Sequence, residues 1–95
     1  MNSAITVLLI ENQPLTRLGI RAVIDGESDI ALSNETDNAD DGFKLFRETY
    51  PDVTILGLRF PDSCSIDDLE NYFAERPKAK IIVLAEHAGV IKVIM

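Results

Sequence analysis

Few residues in this chain combine the type and spacing that chemistry asks for, and they gather in two places. The first is Glu11-Asn12-Gln13, directly after an apolar run. The second is the stretch from Pro51 to Asp62, PDVTILGLRFPD, in which a further apolar run ends at Gly57-Leu58-Arg59-Phe60-Pro61. In a parallel sheet, ligand chemistry collects outside the carboxyl ends of the central strands, where both segments would lie. Glu11 is the acid this reading puts in the cleft. Alone, it would hydrogen-bond rather than hold a metal, since hard cations take several oxygen ligands. Asp52 would stand at the far end of its strand, roughly 16 Å from Gly57 at strand rise.

The other reactive residues have plain readings. Cys64 precedes a predicted helix start, a place that favours a thiolate. No His, Lys or second Cys stands near it in sequence, so an exposed loop cysteine is the simpler assignment. His87 has no second ligand at metal-motif spacing. Asp40-Asp41 and Asp67-Asp68 open predicted helices and complement the helix dipole. No Gly-rich phosphate loop follows any strand.

These residues are positioned by an alternation of elements. Ile5-Thr6-Val7-Leu8-Leu9-Ile10 reads as a strand buried on both faces. Pro14 suits a first helical turn, and Leu15, Leu18, Ala22 and Val23 recur at helical spacing. Gly26 is expected to end that helix in the left-handed conformation. Ile30-Ala31-Leu32 is a short strand, and polar Ser33 to Asn38 a loop. Ala39, Phe43, Phe46 and Tyr50 share one face of a second helix, closed by Pro51. After the strand at Val53, Ile55, Leu56 and Leu58 comes a third helix. Ser65-Ile66-Asp67-Asp68 has capping-box spacing before it, and Ile66, Leu69, Tyr72 and Phe73 are its expected buried stripe. Pro77 stops it. Ile81-Ile82-Val83-Leu84 is the fourth strand. The alternation predicts a helix over the last stretch, Ala88 to Met95. The order implies an α/β parallel sheet with right-handed crossovers and helices on both faces.

Ninety-five residues, 46% hydrophobic and 26% charged, allow one small domain. The net charge of −7 argues against nucleic-acid binding by this segment itself, because phosphate binding needs clustered Lys and Arg. The single cysteine excludes an internal disulfide and fits a reducing cytoplasm. No basic leader opens the chain, and no apolar stretch reaches transmembrane length.

Three segments carry a family resemblance: Val7-Leu8-Leu9-Ile10-Glu11-Asn12-Gln13-Pro14-Leu15, Tyr50-Pro51-Asp52-Val53 and Leu58-Arg59-Phe60-Pro61. In that order, they resemble the receiver domain of bacterial two-component response regulators, most of all those preceding a LuxR-type helix-turn-helix. The resemblance implies a flavodoxin-like sheet of five parallel strands in the order two-one-three-four-five. Residues 1–95 would make one receiver-like domain ending near the fourth helix and incomplete at the C-terminus. It also implies a phosphorylation cleft: an acidic pair for Mg²⁺, a phosphoacceptor Asp, a Ser or Thr, and a Lys. Here Glu11 keeps the first acid and Asn12 replaces the second. Gly57 falls on the phosphoacceptor and Ala85 on the Ser or Thr. Arg59 follows in the strand-end motif, Phe60 replaces the usual Met, and the Lys would lie beyond Met95.

The resemblance therefore implies a degenerate cleft, with no metal, cofactor or catalytic residue. The expected function is that of a non-enzymatic, cytoplasmic pseudo-receiver. It would regulate an attached or partner output, DNA-binding by family analogy, through protein contact or dimerisation. The alternatives are a phospho-switch using another acid such as Asp62, or a small flavodoxin-like ligand-binding domain. Ile81 to Leu84 would be left as an apolar edge, so a dimer is expected through the fourth strand or Val90 to Met95.

Overall fold

The sheet is built outward from β1 (Ile5–Ile10), whose residues Val7 to Ile10 are all buried. In the computed structural model, which describes residues 4–58, 66–87 and 90–94, β1 lies between β2 (Ile30–Thr36) and β3 (Val53–Leu58), parallel to both. β4 (Ile81–His87) pairs parallel to β3, and β5 (Val90–Ile94) pairs antiparallel to β4. The order is β2-β1-β3-β4-β5. The receiver-like parallel sheet expected from the alternation is present in its first four strands.

The last element differs from expectation. Val90–Ile94 is a strand, not a helix. Four of its five residues are β-branched and favour extended backbone. The same pairing corrects the expected edge: β4 is covered on its outer side by β5, and β5 takes the edge. β2 is also longer than expected. Ser33 to Thr36, read as loop, continue the strand, with Asn34, Glu35 and Thr36 opposite Leu8, Leu9 and Ile10 after a register shift. Pairing to β1 overrides polar composition here, and the Ser33 hydroxyl donates to Val7 O at 3.1 Å.

Three helices connect the parallel strands. α1 (Pro14–Asp25) has Pro at its first turn and follows an extended Gln13. Gly26 ends it at φ −78°, right-handed, with its N–H directed to the Ala22 and Val23 carbonyls. The expected left-handed cap does not form. α2 (Ala39–Thr49) is capped by Asn38, whose side-chain oxygen accepts from the Asp41 N–H at 2.8 Å. It ends at Tyr50, left-handed at φ 50°. Pro51 disfavours right-handed helical backbone in the residue before it, which accounts for that turn. α3 (Ile66–Glu75) follows residues outside the described set, so Ser65 of the expected capping box cannot be placed.

The main core lies between the sheet and the pair α2–α3. Leu8, Ile10, Leu56, Ile81 and Val83 meet Phe46 and Tyr72, with Phe43 packed alongside. The ring centroids of Phe43 and Phe46 lie 5.0 and 4.8 Å from that of Tyr72, within the range of favourable aromatic pairing. α2 approaches β1 closely at Gly42, where an added Cβ would come within 2.7–2.9 Å of three Ile10 side-chain atoms. The expected α3 stripe turns inward at Leu69 and Tyr72 but not at Phe73, and the expected α1 stripe faces outward. Phe73 is 41% exposed while Tyr72 is buried. On α1, Leu15, Leu18 and Val23 are 83%, 55% and 69% exposed, and Ile24 is the buried residue. Thr16, Ile20 and Ile24 repeat at the same helical spacing, and that row turns inward.

At the amino end of the sheet, Asp52 ties β3 to β1. Its Oδ2 accepts from the Thr6 N–H at 2.8 Å and the Thr6 hydroxyl at 3.1 Å, and its own N–H donates to Thr6 Oγ1 at 3.0 Å. The Thr6 backbone N–H, and then its hydroxyl, hold the Asp52 carboxyl below the ordinary carboxylate value. A carboxyl lowered in the fold contributes stability above its unfolded pKa of about 3.9, and that contribution is lost as pH falls through the folded value. Asp52→Ala is therefore expected to lower stability at neutral pH. Its difference from the wild type should shrink on acidification below about pH 4. Denaturant unfolding of both proteins across that range checks this; a pH-independent difference would contradict it.

Candidate functional site

At its carboxyl end β1 runs directly into Glu11, whose N–H donates to Thr36 O at 3.0 Å. Glu11 is 0% exposed. The register that pairs Ile10 with Leu56 sets Glu11 beside Gly57 on β3. This is also where the strand order reverses direction, with β2 on one side of β1 and β3 and β4 on the other.

Gly57 and Glu11 share one space. The three atoms nearest to a Cβ built at Gly57 all belong to the Glu11 carboxylate: Oε2 in outright overlap, Cδ at 2.8 Å and Oε1 at 3.4 Å. The carboxylate fills the room in which any side chain at residue 57 would begin. Glu is one methylene longer than Asp, and that length is the sequence signal for this packing. It acquires meaning only beside the glycine.

The remaining expected residues divide by what the structure describes. Asn12 is half-buried, and its Oδ1 is shut off from solvent without a hydrogen-bond partner among the described residues. Ala85 stands in β4 opposite Leu58, one step beyond the Gly57–Leu84 pair. Glu11, Asn12, Gly57 and Ala85 thus all occur at the carboxyl end. Arg59, Asp62 and Cys64 lie outside the described residues. His87 is the last residue of β4, opposite Val90.

Two arginines near this end were not singled out by the sequence reading. Arg17 Nη1 donates to the Glu11 carbonyl at 3.0 Å, tying the first turn of α1 to the strand exit. Arg21 forms a forked pair with Glu35, through Nε to Oε2 at 3.0 Å and through Nη2 to Oε1. The Glu35 hydrogen bond raises the Arg21 guanidinium above its ordinary value. An open cleft of about 290 Å³ runs past Arg17, Glu35, Thr36 and Asp37.

Phosphotransfer on an aspartate needs an acceptor carboxylate, a cation held by several oxygens, and cationic or hydroxyl groups on the phosphoryl. Position 57 has no side chain, and its space is taken by Glu11. Among the described residues no three His, Cys, Asp or Glu side chains converge as metal ligands. The described residues at this end do not supply the donor set of a Mg²⁺-phosphoryl centre.

Comparison with known proteins gives consistent relatives. The chain is 32% identical over 80 residues to an uncharacterized transcriptional regulatory protein, YxjL, of Bacillus subtilis, covering 84% of this chain and 37% of that one. It is 28% identical over 80 residues to the nitrate/nitrite response regulator NarL of Escherichia coli, with the same coverage. Among solved structures, a LuxR-family two-component response regulator from Aurantimonas superposes with a TM-score of 0.78 at 26% identity. That match covers 90% of this chain and 61% of the other. No family model matches the chain. The chain spans about two fifths of the length of the curated relatives it matches.

The shared space at Glu11 and Gly57 makes the two positions energetically coupled. Gly57→Ala is expected to cost about 1–3 kcal/mol, the range for overpacking a filled site. Combined with Glu11→Ala, the same change should cost less than the sum of the two single changes. Gly57→Asp should be worse than Gly57→Ala at neutral pH, because two carboxylates would then crowd one site. Denaturant unfolding of the four-member cycle measures this; strict additivity would contradict the shared space.

Proposed function

The chain is related to response regulators of the NarL and LuxR type and has the receiver fold, and from that premise we propose that it is a pseudo-receiver, a signalling module that works without a phosphoryl group in its own cleft. The observation that carries this is the Glu11 carboxylate packed into the space beside Gly57. A glycine there cannot accept a phosphoryl group. The carboxylate that remains is buried and already part of the packing.

The module would act through protein contact rather than catalysis. Its relatives include transcriptional regulatory proteins more than twice its length, so the output it serves is taken to be a DNA-binding domain in the cytoplasm. The segment itself carries a charge of −7 and is not assigned a nucleic-acid surface. Among the described residues no helix is long and apolar enough to cross a membrane.

Self-association is the contact the topology favours. β5 pairs with β4 on one side only, and its sequence VIKVI holds one charge among four apolar residues. Such an edge invites strand addition, and two copies can satisfy it by pairing across a two-fold axis. The 95-residue chain is expected to sediment as a dimer at micromolar concentration; a stable, cooperatively unfolding monomer would overturn this mode of contact.

Phosphorylation is tested separately. Incubation with a small acyl phosphate and Mg²⁺ should leave the intact mass of the protein unchanged. A stoichiometric phosphoryl adduct would overturn the pseudo-receiver reading and require another acceptor, with Asp62 the first to examine.

A further inference from the structure

At the amino end of the sheet, opposite the Glu11–Gly57 end, a cavity of about 300 Å³ opens beneath α2 and α3. Its lining includes Phe46, Pro51, Thr54, Arg76, Lys78 and Lys80. That volume is at the lower end of the range for small-molecule sites. Thr54 is 1% exposed and borders the cavity. A hydroxyl in the lining is both donor and acceptor and can bond a ligand oxygen held in the cavity.

The charge here runs against that of the chain. Arg76, Lys78 and Lys80 stand within five residues in a protein whose net charge is −7. Lys78 and Lys80 are exposed and form no ion pair among the described residues. Asp52, the one carboxylate in the lining, is already engaged by Thr6. Arg76 is held in advance. Its guanidinium lies 4.2 Å from the Phe46 ring centroid and 4.3 Å from that of Tyr50, and Nη2 donates to the Phe46 carbonyl. A guanidinium fixed this way keeps further N–H groups for an oxyanion and loses little freedom on binding.

We propose that this cavity binds a small oxyanion, a phosphate- or carboxylate-bearing molecule, with Lys78, Lys80 and Arg76 meeting the charge and the Thr54 hydroxyl completing the contact. The site is independent of the Glu11–Gly57 end and would supply an input that end does not offer.

The test is a titration of the isotope-labelled full chain with inorganic phosphate and with malonate, each against sodium chloride at matched ionic strength. The amide signals of Thr54, Ala79 and Lys80 are followed. Saturable shifts are expected with one or both anions, and the responding anion distinguishes a phosphate ligand from a carboxylate one. In the Lys78→Gln/Lys80→Gln variant the affinity should fall about tenfold or more, and Thr54→Val should weaken binding with the fold intact. Lys78→Gln alone serves if the double variant loses stability. Linear shifts that chloride reproduces, or saturation unchanged in the lysine variants, would overturn the proposal. A response to an acidic peptide but to neither small anion would overturn it in favour of a protein partner.

Discussion

A carboxylate at the exit of a strand buried on both faces must be given room, and the missing side chain of Gly57 gives it. β1 is an interior strand of the sheet, Val7 to Ile10 leave no polar face to solvent, and Glu11 inherits that burial. Burying an acid is expensive unless its surroundings accommodate it. Here the neighbouring strand accommodates it by withdrawing a side chain, and the Thr36 carbonyl and Arg17 guanidinium fix the backbone on either side. The carboxyl end is therefore a packed region, and packing rather than solvent sets what can be placed there.

The two ends of the sheet consequently differ in kind. At the carboxyl end an acid is shut in. At the amino end, Asp52 is turned toward Thr6, and the cations of the α3–β4 connection line an open cavity. Phe46, clustered with Phe43 and Tyr72, lines that cavity. The cluster also holds Arg76, which lies over the Phe46 ring, while Arg47 of α2 pairs with Glu75 of α3 at 3.0 Å. Whatever joins α2 to α3 therefore also shapes the basic cavity.

The strand–helix alternation was legible because buried parallel strands leave short apolar runs and amphipathic helices leave periodic ones. What escaped were facts decided across the chain. Ser33 to Thr36 carry no strand signal of their own; β1 recruits them. On α1 the row Leu15, Leu18, Val23 and the row Thr16, Ile20, Ile24 are both periodic, and only the sheet selects between them. The same holds for Tyr72 and Phe73, adjacent in sequence and opposite in burial. At the site, the residue types of Glu11, Asn12, Gly57 and Ala85 could be read directly. The overlap of Glu11 with Gly57 could not, because it depends on the register between β1 and β3. The basic cavity escaped for a similar reason: Thr54, Phe46 and Lys78 converge only in the fold.

The reversal of β5 has consequences on both faces. A parallel return to the sheet requires a crossover of a dozen or more residues. Only Ala88 and Gly89 separate β4 from β5, so the antiparallel direction is the one open to it. Such a connection carries no helix back across the sheet. α2 and α3 share the face that holds the main core, whereas Ile24 of α1 lies outside that cluster. Among the described residues α1 is thus the sole helix on its face. Leu15, Leu18 and Val23 stay exposed on the side of α1 away from its buried Ile24 row. The strand order β2-β1-β3-β4-β5 is thus kept while the direction of its last strand is set by the length of one connection.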